Sequence, residues 1–375
     1  MILHISNGFA QSDLYKNLFY EIDKSGIEQV IYSAVRTKEE ATYLPKELNH
    51  LEIHVKNILS KWDRIFFRRK VKRVLNDLMT NVKIATVKVI HAHTLYSDGA
   101  IAYKLKEQLG IPYVVSVRST DINIFEKYRF DLSHYRNCIL KEASKVIFIS
   151  PSYKNKLLNL LPISIRREVN SKSLVIPNGI DEEFFFDTPV KNNPKDNTLR
   201  ILYVGDFRPL KNVPNLIKAV DILKDKIPVR LTIVGSGGEY EDNVLENIRA
   251  KNLLEIVDLK GRVTNKAKLK KIYSEHDVFA MVSKPETFGL VYIEALSQGT
   301  PIIYTEGEGV DGYFDSLNVG EKVSDVNNPE KIAEAILKLY NRTTIETSRI
   351  CIKVSEEFNW ETISKRYIQY YREFL

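Results

Sequence analysis

The chain has 375 residues, 44% of them apolar, and its Lys and Arg exceed its Asp and Glu by 55 − 48 = 7. That is enough chain for two domains with real cores, and no apolar run approaches the ~18–20 residues of a membrane span. Two cysteines, Cys138 and Cys351, exclude a disulfide framework or a thiolate metal cluster.

The opening MILHISNGF has neither a basic leader nor a long apolar run, so it reads as a strand and turn, and a cytoplasmic location is expected. On the same ground the sequon Asn341-Arg-Thr is not read as a glycosylation site. Apolar, β-branched runs follow at 29–35, 52–56, 87–93, 112–118 and 145–150, with helical periodicity between them. One such helix, 98–110, closes on a terminal Gly. Alternation of strand and helix predicts a parallel sheet covered on both faces.

Within this half, 61–78 holds seven Lys or Arg and two Asp. At about 100° per residue, Phe67, Val71, Val74, Leu75 and Leu78 share one helix face. Trp62, Ile65 and Phe66 fall opposite, flanked by Arg69, Lys70, Lys72 and Arg73. Exposed aromatics ringed by cations suit an anionic membrane surface, and aromatics packed inside are the alternative. His91 and His93 share a strand face, but no third ligand stands nearby in sequence, so no metal centre is expected there. Asp98-Gly99 reads as a helix cap. Arg118 and Asp121 close the fifth strand, as a salt-bridged loop or as acceptor contacts.

The segment 175–198, rich in Pro, Asn, Asp and Lys, reads as a linker. The pattern then restarts, with strands at 199–205, 229–235, 256–260, 277–282 and 300–305. Helices are predicted at 213–225, 240–251, 266–275, 290–298 and 329–340. The predicted domains are 1–180 and 181–358, with a final helix at 359–375 crossing back to the first. The fold class is α/β, with two Rossmann-like domains facing each other across a cleft.

Three turns of the second half follow strands and must open at one end of its sheet: GDFRPLKN (205–212), GSGGE (235–239) and PETFG (285–289). Gly205 and Gly235 permit close backbone approach to a ligand. The amides of Phe288, Gly289 and Leu290 open a helix, which suits a phosphate. Arg208 and Lys211 place two cations beside that terminus. Taken alone, Glu286 and Glu294 read as a helix cap and a solvated side chain.

Together, Glu286-x7-Glu294 inside PETFGLVYIEALSQGTP (285–301) resembles the signature of retaining glycosyltransferase family four, which has the GT-B fold. VIPNGID (175–181), YSEHDVFAMVS (273–283), HAHTLYSDGAIAYKLKEQLGIPYVVSVRSTDI (91–122) and Phe-Asn-Trp (358–360) agree with it. The resemblance implies transfer of a hexose or N-acetylhexosamine from a UDP- or GDP-sugar to a hydroxyl of a cell-surface glycan or lipid-linked acceptor. It implies that Glu286 contacts the donor sugar and Glu294 the ribose. It places Arg262 and Val263 at the base, and Lys211, with Arg208, at the diphosphate. Gly8, His93, Arg118 and Asp121 then form the acceptor side. No cofactor, metal or nucleic-acid partner is expected, and no Asp-x-Asp motif appears beside these turns.

Three positions depart from the family pattern. Asp206 stands where Arg is usual, with Arg208 two residues on. Arg118 stands where His is frequent, and the first loop (6–13) has the single Gly8 where many members have two. Two rival readings remain open. One is a nucleotide-sugar epimerase of the same architecture, and the other is a non-catalytic glycan- or nucleic-acid-binding protein.

Overall fold

The structure is a computed structural model that describes residues 1–11, 13–38, 48–186, 188 and 197–375. The chain forms two compact units. The first comprises Met1–Ile149, Tyr153–Asn178 and Trp360–Leu375, and the second Ser150–Ser152 and Gly179–Asn359.

The first unit holds a seven-stranded parallel sheet in the order β3-β2-β1-β4-β5-β6-β7. Its strands are β1 (Ile2–Ile5), β2 (Gln29–Val35), β3 (Leu51–Asn57), β4 (Val89–Ala92), β5 (Tyr113–Val117), β6 (Lys145–Phe148) and β7 (Ser173–Val175). Every residue of β1, β2, β4 and β5 is buried, as expected for strands covered on both faces. Alternate residues of β1 serve different cores. Leu3 and Ile5 join the helix Phe67–Asn81 through Val71, Val74 and Leu78. Ile2 joins the helix Trp360–Tyr371 through Ile363, Tyr367 and Tyr371. The C-terminal helix therefore covers one face of the first sheet.

The second unit holds a six-stranded parallel sheet in the order β10-β9-β8-β11-β12-β13. Its strands are β8 (Leu199–Val204), β9 (Val229–Val234), β10 (Val257–Gly261), β11 (Val278–Ala280), β12 (Ile302–Thr305) and β13 (Gly320–Val323). Central Ile201 pairs in register with Leu231 on one side and Val278 on the other. The helices cap as their sequences direct. Asn328 accepts from the amides of Glu330 and Lys331 at 2.9 and 3.4 Å, with Pro329 at the first position.

Three expectations need correction. Strands β7 and β13 were not predicted, because both are short edge strands with mixed exposure. The predicted linker is structured where it is described: Ile176, Ile180 and Phe184 are buried, and Gln298 Nε2 donates to the Phe184 carbonyl at 2.8 Å. Residues 187 and 189–196 of that segment, and Ser12 of the first loop, lie outside the described residues. The helix expected across 61–78 is two pieces, a 3-10 turn Lys61–Arg64 and the helix Phe67–Asn81. Asp63 divides them, accepting from the Ser60 amide at 2.6 Å and pairing with Arg73 at 2.5 Å. Lys70 leaves the exposed ring, because it is buried and donates to Ser97 Oγ at 2.7 Å.

Candidate active site

At the carboxyl end of the second sheet, the turns after β8, β9, β11 and β12 are tied to one another. The Gly205 amide donates to the Val234 carbonyl at 2.9 Å, and the Lys284 amide to the Leu210 carbonyl at 2.8 Å. Gly309 reaches the Glu286 carbonyl at 3.0 Å. Strand β8 lies between β9 and β11, so the chain runs outward on both sides of it. This is where open α/β sheets bind ligands. Gly235 sits at φ +148°, and a Cβ there would lie 1.8 Å from the Gly205 oxygen. A Cβ on Gly205 would lie 2.7 Å from Tyr203 Oη, so each turn has its own reason for glycine.

Lys211 and Glu286 meet here. Lys211 Nζ donates to Glu286 Oε2 at 2.9 Å, and Ser283 Oγ to the same oxygen at 2.7 Å. The Thr287 amide donates to Glu286 Oε1 at 2.9 Å. With about four acceptor positions on a carboxylate, one remains for a ligand hydroxyl. Glu308 fixes the backbone by accepting from the Glu286 amide at 3.2 Å. The helix Leu290–Ser297 then starts at Gly289, whose φ is +81°. The amides of Phe288, Gly289 and Leu290 make no hydrogen bond among the described residues. The Phe288 ring is buried against Phe358 and Tyr313, so this residue offers its backbone and not its side chain.

Glu294 lies one turn further and accepts from Tyr273 Oη at 2.9 Å. Burial raises its carboxyl to about 7, against the opposing hydrogen bond from Tyr273. Arg262 and Val263 follow β10 at the same sheet end, Arg262 exposed and Val263 half-buried. Arg208 is not aimed at the helix terminus. Its Nε is held by both oxygens of Asp206, at 3.0 and 2.9 Å, so the departure from the family pattern occupies the guanidinium meant to compensate for it.

The first sheet ends differently. Asp121 is buried and accepts from the amides of Leu95, Tyr96 and Arg118 at 3.0, 3.2 and 2.8 Å. Its side chain is thus spent on holding two turns together, and the salt-bridged-loop reading is replaced by a backbone clamp. Arg118 Nε donates to the His93 carbonyl and Nη1 to Asn178 Oδ1, both at 3.2 Å. His93 is fully buried, with Nε2 3.1 Å from His4 Nδ1. Gly8 is partly exposed beside Tyr15. Asp98 does not cap its own helix. It is fully buried, with Oδ1 accepting weakly from the Asn7 amide at 3.4 Å, and burial raises its carboxyl.

The third imidazole that the sequence lacked is His4, paired in register with His91 on adjacent strands. His91 bridges Tyr371 Oη at 2.5 Å and Ser116 Oγ at 2.8 Å. Burial depresses all three histidines, His4 to about 3. The rings are neutral: His4 and His93 hydrogen-bond each other and His91 bonds its hydroxyl neighbours, while His4 Nε2 and His93 Nδ1 are buried without a hydrogen-bond partner among the described residues. Sequence reasoning also missed Ser283, Glu308 and Tyr273. The Gly-Glu-Gly turn at 307–309, after a predicted strand, was the available signal for Glu308.

Two parallel-sheet Rossmann-like units, the second with a Lys–Glu pair and unused amides at its strand ends, define a class, and the comparisons agree with it. Residues 16–184 match glycosyltransferase family 4, and residues 185–358 match glycosyl transferases group 1. An uncharacterized glycosyltransferase of Methanocaldococcus jannaschii is 26% identical over 330 residues, covering 85% of this chain and 84% of that protein. The N-acetyl-alpha-D-glucosaminyl L-malate synthase of Bacillus anthracis is 23% identical over 297 residues, covering 76% and 75%. Among solved structures, a lipopolysaccharide outer core galactosyltransferase superposes with a TM-score of 0.74 at 16% identity, covering 100% of both chains. HepE of Anabaena in complex with UDP gives 0.70 at 15% identity, covering 99% of both. The chain is a glycosyltransferase with the GT-B fold. Within that class it belongs to glycosyltransferase family four.

Proposed function

We propose that the protein is a retaining glycosyltransferase moving a hexose or N-acetylhexosamine from a UDP- or GDP-sugar to a hydroxyl of a cell-surface glycan or lipid-linked acceptor. The observation that carries this reading is the Lys211–Glu286 pair, 2.9 Å apart, beside three unused amides at the start of the helix Leu290–Ser297. A diphosphate takes up such amides and a fixed cation together. Anabaena HepE has been solved with UDP and with UDP-glucose, which supports a nucleotide-sugar donor here.

Lys211 stabilises the charge that develops on the departing diphosphate, and the amides of Phe288, Gly289 and Leu290 share it. Glu286 orients the sugar through a hydroxyl, Glu294 the ribose, and Arg262 with Val263 the base. The acceptor oxygen attacks the anomeric carbon from the face that the diphosphate leaves, and a leaving-group oxygen takes its proton. On the acceptor side, Gly8 and Arg118 are placed for contact, while His93 and Asp121 position them. Arg208 acts only when it exchanges Asp206 for phosphate. No metal is called on, since fixed cations and amides fill that role. The enzyme works in the cytoplasm, at the inner face of the cell membrane where its acceptor is lipid-linked.

The test is incubation with UDP- and GDP-hexoses, with and without an acceptor mixture, in excess EDTA. Retention of the anomeric configuration in the product is expected, with activity unaffected by the chelator. Isomerised donor in the absence of acceptor would establish the epimerase alternative instead. Activity lost in EDTA and restored by Mg²⁺ or Mn²⁺ would overturn the metal-free diphosphate site.

A further inference from the structure

The first unit carries an exposed apolar face built from two segments distant in sequence. Trp62, Ile65 and Phe66 are 66%, 61% and 48% exposed, and Ile124, Tyr128 and Phe130 are 52%, 64% and 74% exposed. The segments meet at buried Phe67, whose ring lies 6.2 Å from Phe125 and 5.9 Å from the Arg129 guanidinium. Phe67 thus joins the two segments, which between them present six large apolar side chains to solvent. Scattered single exposures are ordinary, but a joined patch of this kind marks a binding face.

The patch is held open by its own supports. Asp63, only 5% exposed, ties the first segment to Arg73, and buried Arg136 ties the second to Glu126 at 2.6 Å. Tyr96 Oη also donates to Glu126 at 2.6 Å. The nearby carboxylates therefore point inward or, as with Asp131 on Arg129 at 2.7 Å, are neutralised. The exposed cations that remain are Lys61, Arg68, Arg69, Lys72 and Lys127. Arg69 and Lys127 lie over the rings of Phe66 and Tyr128, at 5.6 and 5.2 Å. Apolar tips ringed by positive charge, with acids withdrawn, match a surface that is negative at its rim and apolar just beneath.

We infer that this two-segment face docks on the anionic surface of a lipid bilayer, with 124–130 inserting alongside 62–66. The cations are attracted to such a surface, and the apolar tips enter the headgroup boundary. The transfer reaction is not needed for this binding, so the two readings fail separately.

The experiment is co-sedimentation with vesicles of phosphatidylglycerol and phosphatidylcholine, without donor. Wild type should pellet with anionic vesicles at low salt and be released at high salt. Tyr128→Ser/Phe130→Ser and Trp62→Ser/Phe66→Ser should each lose at least about tenfold in vesicle affinity while keeping wild-type nucleotide affinity and melting temperature. Wild type left in the supernatant at low salt overturns the inference, as does equal pelleting on purely zwitterionic vesicles. If only the 62–66 variant loses affinity, the two-segment face is wrong. Concentration-dependent dimerisation abolished by both variants, with no vesicle binding, would make a second copy of the chain the occupant.

Discussion

The second sheet ends in paired charges, and the first buries three neutral, mutually tilted imidazoles. Lys211 faces Glu286 at 2.9 Å, with unused amides beside it. His4, His91 and His93 lie ring against ring, His91 and His93 with centroids 3.9 Å apart, and all three are fully buried. The contrast follows from what each end contributes. A site for a diphosphate needs fixed charge that water does not screen away. A scaffold that positions loops is built from groups that pack without carrying charge into the interior. The sharper the difference, the more separable the two sets of variants become.

The largest effect should come from Lys211. Lys211→Ala removes the cation at the diphosphate and leaves Glu286 without its charged partner. Transfer should fall by about 100- to 1000-fold, the usual range for losing a preorganised charge-stabilising group. Nucleotide affinity should fall by about tenfold or more, from the 1.5–3 kcal/mol of a charge-assisted contact. Calorimetry and steady-state kinetics measure both, with the melting temperature as a control. Near-normal kinetics in a folded variant would remove Lys211 from the site.

Two glycines sharpen the comparison next. Gly235→Ala forces a side chain to φ +148° and into the Gly205 carbonyl. Strain at such positions costs about 1–3 kcal/mol, and the overlap adds to it. Gly8→Ala brings a Cβ to 3.5 Å from Tyr15, an ordinary contact, so stability should move by less than about 0.5 kcal/mol. Denaturant titration of both variants decides. Equal stabilities would mean that the two turns tolerate side chains alike.

Much of the donor end was legible because the α/β rule does the assembly. Turns following parallel strands must gather at one sheet end, so Gly205, Lys211, Gly235 and Glu286 could be grouped without knowing any contact. The pairing of Arg208 with Asp206 could not, since sequence gives neighbours and not rotamers. At the other end, legibility fails for a different reason. His4 meets His91 only through the register of two strands, across 87 residues (91 − 4 = 87). His91 meets Tyr371 across 280 residues. Lys70 was misplaced because a helical wheel continued through 65–66 ignores the break that Asp63 makes, and because the partner that lets Lys70 stay buried, Ser97, is on another helix.

The histidines should make the first unit acid-sensitive. Burial holds His4 at about 3, against an ordinary value near 6.5. Below about pH 6.5 the unfolded chain takes up a proton that folded His4 refuses, so this contribution to stability is intact above that pH and is lost progressively down to about 3. Its slope is at most about 1.4 kcal/mol per pH unit. His4→Asn should flatten the fall in unfolding free energy between pH 6.5 and 4, whatever its offset at pH 7. An unchanged slope would show that His4 titrates normally and that the neutral cluster is misread.

The prediction that tests the end of the second sheet most finely concerns Glu294. Burial raises its carboxyl to about 7, so near neutrality it is divided between acid and carboxylate. Tyr273 Oη already donates to Oε2 at 2.9 Å, and ribose hydroxyls would add further donors. Donors favour the charged form, so binding should expel the proton. Affinity for a nucleotide-sugar should therefore rise as pH goes from 6 to 8, by about tenfold at most for one linked proton. The intact sugar nucleotide is the right probe, because its diphosphate is a diester and does not titrate in this window, whereas the terminal phosphate of UDP does. Calorimetry in two buffers of different ionisation heat should detect proton release at pH 7. Glu294→Gln should bind more weakly at pH 8 and show a flat profile. Affinity that falls with rising pH would mean that Glu294 binds protonated and donates, which reverses its role at the ribose.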